Sequence, residues 1–255
     1  MTETPLDKPP VTPVPAATLL LVRDRAEGIE VLLTTRHDAA GFAAGAAVFP
    51  GGKVDASDRA RASAAGDPFR IAAIRETFEE CGLLLARRSA TGAMLSAAAL
   101  AELSQRHSGV TDFATLVGRA ELSLATDLLV PFAHWITPAD QPKRFDTHFF
   151  LAPAPADQVA LHDGREATIV HWLTPEGAIA AARRGEIKLL LPTRLNLLKL
   201  ARSKTAAEAL DTARRSEIVT VQPEMVETAE GPAFRIPAGA DYGVTEVLVS
   251  SYRRA

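Results

Sequence analysis

Between Asp67 and Gly82 the chain spells out one helix with both ends marked. An aspartate accepts from free N–H groups at a helix start, proline suits the first helical position, and glycine tolerates the left-handed stop. At about 100° per residue, Ile71, Ile74, Phe78 and Cys81 fall on one apolar stripe, predicted to face a core. Glu76, Glu79 and Glu80 fall on the opposite side, clustered on adjacent turns. Like charges at these spacings repel by roughly 0.2–0.5 kcal/mol each. Arg75, one turn before Glu79, is expected to neutralise one of them only. The plain reading is a solvated acidic face. The sharper reading is a divalent-cation site, because carboxylate oxygens suit Mg2+ or Mn2+ held between protein and phosphate.

The remaining elements are arranged around this helix. Ala17–Val22 and Ile29–Thr35 read as two strands joined by a turn, and Ala46–Phe49 as a third, followed by a turn at Pro50-Gly51-Gly52. Helices are expected at Ser96–His107, Asp112–Gly118, Thr174–Arg184, Pro192–Arg202 and Thr205–Arg215. Strands are expected at Leu128–Ile136, Arg144–Ala152 and Ala167–Leu173, with short β-like runs beyond Ile218. Strands and helices mix without strict βαβ alternation, which points to an α+β layered domain. Residues 1–15 hold five prolines and read as an extended tail, leaving 16–255 as a single domain.

Composition narrows the classes. An apolar share of 47% with 23% charged residues excludes a disordered or fibrous chain. A net charge of −3 without a basic cluster argues against a nucleic-acid partner. No run approaches the ~20 apolar residues that cross a bilayer, so no membrane partner is expected. The single cysteine, Cys81, sits on the apolar stripe and reads as core rather than nucleophile. It fits a reducing compartment. With no basic, apolar leader at the start and no Ser-Lys-Leu type address at the end, a cytoplasmic location is expected.

Arg75-Glu76-Thr77-Phe78-Glu79-Glu80-Cys81-Gly82-Leu83, together with Gly52, resembles the signature of the Nudix hydrolase family, G-x5-E-x7-R-E-U-x-E-E-x-G-U, where U is a bulky aliphatic residue. Thr77 stands at an aliphatic position. Counting forward from Gly52 puts the first glutamate on Asp58; counting back from Arg75 puts it on Asp67. The box therefore carries nine extra residues, roughly Arg59–Asp67, expected in a loop before the helix. This interruption, with the flanks Val31–Arg36, Val48–Asp55, Trp135–Pro138 and Arg144–Phe150, resembles the coenzyme A diphosphatase-like branch. Ala43–Ala47 depart from the His-x-Gly-Glu group of the better-known coenzyme A signature. The resemblance covers about Pro15 to Arg202.

The resemblance implies a Nudix fold, a mixed sheet sandwiched between helices, with a helical insertion near 90–125 and a helical and β extension toward the C-terminus. It implies Glu76, Glu79, Glu80 and the Gly52 carbonyl as ligands of Mg2+ or Mn2+, with Arg75 orienting the carboxylates. The general base would be a box glutamate, Glu79 or Glu80, or Glu166, six residues before Trp172. Arg36, Lys53 and Arg144 are the candidate phosphate contacts. Trp135 and Trp172 are expected in the core, and His134 and His171 as packed or rim residues. The implied activity is hydrolysis of a nucleoside diphosphate linked to another moiety. Coenzyme A or acyl-coenzyme A would give 3′,5′-ADP and a phosphopantetheine. ADP-ribose, NADH or a dinucleotide is the alternative substrate. A catalytically silent nucleotide sensor is the alternative class, although silent members usually lose box glutamates. The expected partner is a small nucleoside diphosphate derivative; a homodimer stays open.

Overall fold

Residues 11–36, 45–106, 112–161 and 167–253 are described in a computed structural model of the protein. Strand β1, Val14–Arg25, is the spine. Its apolar run is continuous because both its faces are covered. Leu19 and Leu21 enter one core; Leu20 and Val22 enter the other. Gly28, at φ 122°, turns the chain into β2, Gly28–Arg36, which places Val31 opposite Val22. Next come β3, Ala46–Val48, and β4, Gly51–Lys53. The expected Pro50–Gly52 turn is mostly this strand, which pairs antiparallel with β1. A Cβ on Gly51 would lie 2.4 Å from the Ala17 carbonyl oxygen, so only glycine fits there.

Helices α1, Ala56–Ala65, and α2, Pro68–Cys81, follow. Strand β5, Ala86–Arg88, leads into α3, Ala97–Arg106, and α4, Phe113–Arg119, and β6, Leu122–Leu124, returns to pair with β5. Strands β7, Val130–Ile136, and β8, Phe145–Pro153, pair antiparallel, and β8 runs parallel to β1 along its whole length. Then come β9, Ala167–Leu173, α5, Pro175–Arg183, β10, Lys188–Leu189, α6, Leu191–Leu200, α7, Ala206–Arg215, and β11, Thr220–Val221. Strands β12, Glu224–Thr228, β13, Gly231–Arg235, and β14, Glu246–Leu248, form a separate antiparallel sheet, followed by α8, Val249–Arg253.

The main sheet runs β10-β3-β2-β1-β8-β7-β11, with β4 on β1 and β9 on β2. Its β1–β8, β7–β11 and β3–β10 pairs are parallel and its other pairs antiparallel. Helices α2, α3 and α4 cover one face, and α5, α6 and α7 the other. This is the expected α+β mixed sheet between helices. Two expectations change. The proline-rich tail ends earlier, since Val14 and Pro15 already pair with Phe145 and Asp146; residues 1–10 lie outside the described ones. The inserted box residues are largely helix α1 rather than a loop. Its start is a capping box, with the Asp55 side chain accepting from the Ser57 and Asp58 N–H groups and the Asp58 side chain from the Asp55 N–H. Among the described residues, no helix is long and apolar enough to cross a membrane.

Candidate metal and active site

Helix α2 begins and ends where its sequence marks it. Asp67 accepts from the Phe69 N–H at 2.9 Å, and Gly82 closes the last turn at φ 68°. The burial differs from the predicted two-sided pattern. Ile71, Ile74 and Cys81 are buried as expected, but so are Arg75, Thr77 and Glu80, while Phe78 is only partly covered. The dry arc runs through Ala73 and Thr77, which adjoin Glu80 on the helix surface. Thr77 fills the aliphatic box position without an orphaned hydroxyl, because Oγ1 donates to the Ala73 carbonyl at 2.7 Å. The Phe78 ring lies 5.8 Å from that of Phe113.

Arg75 is the hub, and it does more than offset one charge. Nε and Nη2 donate to the Asp58 carboxylate at 3.0 and 2.9 Å. Nη1 donates to Glu76 and Glu79, each at 2.8 Å, and Nη2 also reaches the Lys53 carbonyl at 2.8 Å. Burial works against the guanidinium charge, but hydrogen bonds to Asp58 and the charges of Glu76, Asp58 and Glu79 outweigh it, so its pKa is held above the ordinary value. Burial pushes the Glu79 carboxyl up, Arg75 pulls it back, and Asp58 and Asp55 push it up further; the net direction is upward. The two candidate aspartates differ in their partners. Asp58, 1% exposed, is the one paired with Arg75, and Asp67 is a helix cap.

Gly52 completes the arrangement. A Cβ there would stand 2.4 Å from the Glu76 carboxyl, so the missing side chain is what lets Glu76 lie against β4. Glu76 lies against this bare backbone and Glu79 one turn on, with oxygen donors of the kind that suits a hard divalent cation, whereas Glu80 is buried. Among the described residues, the ligand oxygens of the three do not all come within 4.8 Å of one another.

Glu76 and Glu79 face a cavity of about 810 Å³. Gly51, Gly52, Lys53 and Arg75 line it beside these two carboxylates. Trp135, Phe145, Thr147 and Phe149 of β7 and β8 form one wall, and Leu191, Met225, Phe234 and Val249 add apolar lining from the C-terminal elements. Trp135 Nε1 donates to the Tyr242 hydroxyl at 2.8 Å, which donates to Asn196 Oδ1 at 2.7 Å. This buried relay ties the C-terminal elements to the wall.

Of the predicted phosphate contacts, Lys53 lines the cavity. Arg144 does not, and its assignment is corrected. It is 6% exposed, and its guanidinium donates to the carbonyls of Thr137 and Val11 at 3.0 and 2.8 Å, fastening strand ends. Arg36 ends β2 beside Ala167; its side chain lies outside the described residues, as do Glu166 and residues 37–44. Lys143 and Gln141 line the cavity and were missed, although Lys143 adjoins Arg144 in sequence. Trp135 and Cys81 are buried as expected, whereas Trp172 is partly exposed beneath the Arg23 guanidinium, 3.9 Å from the ring centroid.

Comparison with known proteins shows which family the chain resembles. The NUDT19 Nudix domain matches residues 65–200, just over half of the chain, and the NUDIX domain matches residues 12–110. A Caenorhabditis elegans protein named "Putative nudix hydrolase 7" is 29% identical over 174 residues, 68% of this chain. The match spans 56% of that relative's length. The crystal structure of a NUDIX hydrolase from Alicyclobacillus acidocaldarius superposes with a TM-score of 0.68 at 29% identity, covering 81% of this chain and 99% of the other. Glu76 and Glu79, both paired with Arg75, stand where the matched domains overlap, and the chain belongs to the Nudix domain family.

Proposed function

We propose that this protein is a divalent-metal-dependent pyrophosphohydrolase that cleaves a nucleoside diphosphate linked to another moiety, with coenzyme A or an acyl-coenzyme A as substrate. The observation that carries the reading is that Glu76 and Glu79 line the 810 Å³ cavity, with Gly52 bare beside Glu76. That volume is near the upper end of the roughly 300–1,000 Å³ of small-molecule sites. Carboxylates in the lining suit a diphosphate only through cations, and the apolar lining from Leu191, Met225, Phe234 and Val249 suits the long uncharged arm of such a substrate.

Glu76, Glu79, Glu80 and the Gly52 carbonyl would hold Mg2+ or Mn2+. When bound, such an ion screens the diphosphate oxygens and acidifies a bound water. Arg75 fixes the carboxylates of Glu76 and Glu79 through Nη1, so they need not reorganise when substrate arrives. Glu79, Glu80 and Glu166 are the candidates for accepting the proton of the attacking water. Lys53 and Lys143 are the cavity-lining cations for phosphate oxygens, and Arg36 remains a third candidate.

The test compares coenzyme A, dephospho-coenzyme A and ADP-ribose with Mg2+ and with Mn2+, with products separated by chromatography. Coenzyme A should be cleaved at its diphosphate and preferred. Loss of the 3′-phosphate should lower kcat/KM by about ten- to a hundred-fold, the worth of one charge-assisted contact. Equal values for the first two would show that the 3′-phosphate is not read. ADP-ribose outrunning both would overturn the coenzyme A assignment and leave the hydrolase one. No cleavage of any of the three would remove both.

A further inference from the structure

On the face of the sheet opposite the cavity, His134 of β7 and His148 of β8 are cross-strand partners, and Asp146 precedes His148 by two residues on the same face. One donor atom from each lies within 4.8 Å of the others. We infer that His134, Asp146 and His148 form a second metal site, separate from the box carboxylates and selective for an imidazole-binding ion of the Zn2+ class.

Three features carry this. The first is spacing. Asp146 Oδ1 is 2.5 Å from His134 Nε2 and 3.9 Å from His148 Nε2. Ligands at Zn–N and Zn–O distances of about 2.0–2.1 Å in a tetrahedral site stand about 3.3 Å apart, a value these two separations bracket. The second is orientation. His134 Nδ1 is 2.8 Å from Thr220 Oγ1 on β11, which leaves Nε2 turned toward Asp146. A hydrogen bond to the far ring nitrogen is how metal-binding histidines are commonly fixed. His148 is held by the Phe69 ring, 4.1 Å between centroids. The third is access. The three side chains are 16%, 33% and 37% exposed, for His134, Asp146 and His148 in turn, so an ion can enter from solvent and keep water or a further ligand in the open position. Two neutral imidazoles and one carboxylate favour Zn2+, Co2+ or Ni2+ over Mg2+, which demands oxygen ligands. An ion there would clip β7 to β8, and the other face of these strands carries Trp135, Thr147 and Phe149 of the cavity wall.

The experiment is a Co2+ titration of the full chain in excess Mg2+, which occupies all-oxygen sites, read by visible absorption and repeated with Zn2+ by calorimetry. One Co2+ per chain should bind, give a d–d spectrum with nitrogen ligation, and be displaced by Zn2+. Losing an outer partner alone weakens metal sites by about 10–100-fold, so His148→Ala and Asp146→Asn should each weaken binding at least that much. Metal-free melting curves check that each variant is folded, and either one suffices. Absence of binding to the parent in excess Mg2+ overturns the site. Binding that survives in a folded variant does so too, leaving only a hydrogen-bonded His–Asp pair.

Discussion

Gly52 has no side chain because Glu76 occupies the space one would need. A methyl group there would meet the far end of a flexible side chain at 2.4 Å, so the backbone need not move. Gly52→Ala should therefore leave the thermal melt nearly unchanged while lowering metal-dependent hydrolysis, since the Glu76 carboxyl must swing away. An intact rate would remove Glu76 from the site. Asp58 poses the opposite case. It meets the buried Arg75 through two hydrogen bonds, and removing one member of a buried ion pair costs about 3–5 kcal/mol. Asp58→Ala should lose stability on that scale in urea unfolding. An unchanged midpoint would mean that Glu76 and Glu79 hold Arg75 unaided. Neither role was legible from spacing alone: Asp58 and Asp67 both satisfied a count, and only the fold separates a partner from a cap.

At the scale of elements, α2 was readable at both ends because capping depends on local chemistry that the sequence states directly. Its burial was not. A helical wheel gives angular position but not what covers each side, and the dry arc extends past the predicted stripe to Thr77 and Glu80. The energetic centre therefore shifts from Phe78 to Ile74, which is fully buried. Ile74→Ala should cost about 2–5 kcal/mol, and Phe78→Ala clearly less, as metal-free melts would show. Equal losses would restore Phe78 to the core. Helix α1 left a sequence signal, the Asp55–Asp58 capping box with Gly66 after its end, which counting the residues as an insertion obscured. Strands β12 and β13 left little signal. They are short, and Glu224 and Met225 are exposed, so no apolar alternation marks them. Arg144 was misread for a different reason: its acceptors are backbone carbonyls, which no side-chain pattern announces.

Across the whole molecule, the cavity gathers stretches far apart in sequence: lining residues from 51–79, from 135–149 and from 223–249. The first two stretches lay within recognisable motifs, while the third belongs to a second sheet that only the assembled chain creates. That separation has an evolutionary meaning. Substitutions in the C-terminal stretch of the lining can reshape what fits without disturbing the carboxylates and Arg75, which are held by their own hydrogen bonds much earlier in the chain. Selection can thus act on diet and on chemistry as nearly independent traits, and descendants of one ancestor can diverge in what they consume while inheriting the same way of breaking it.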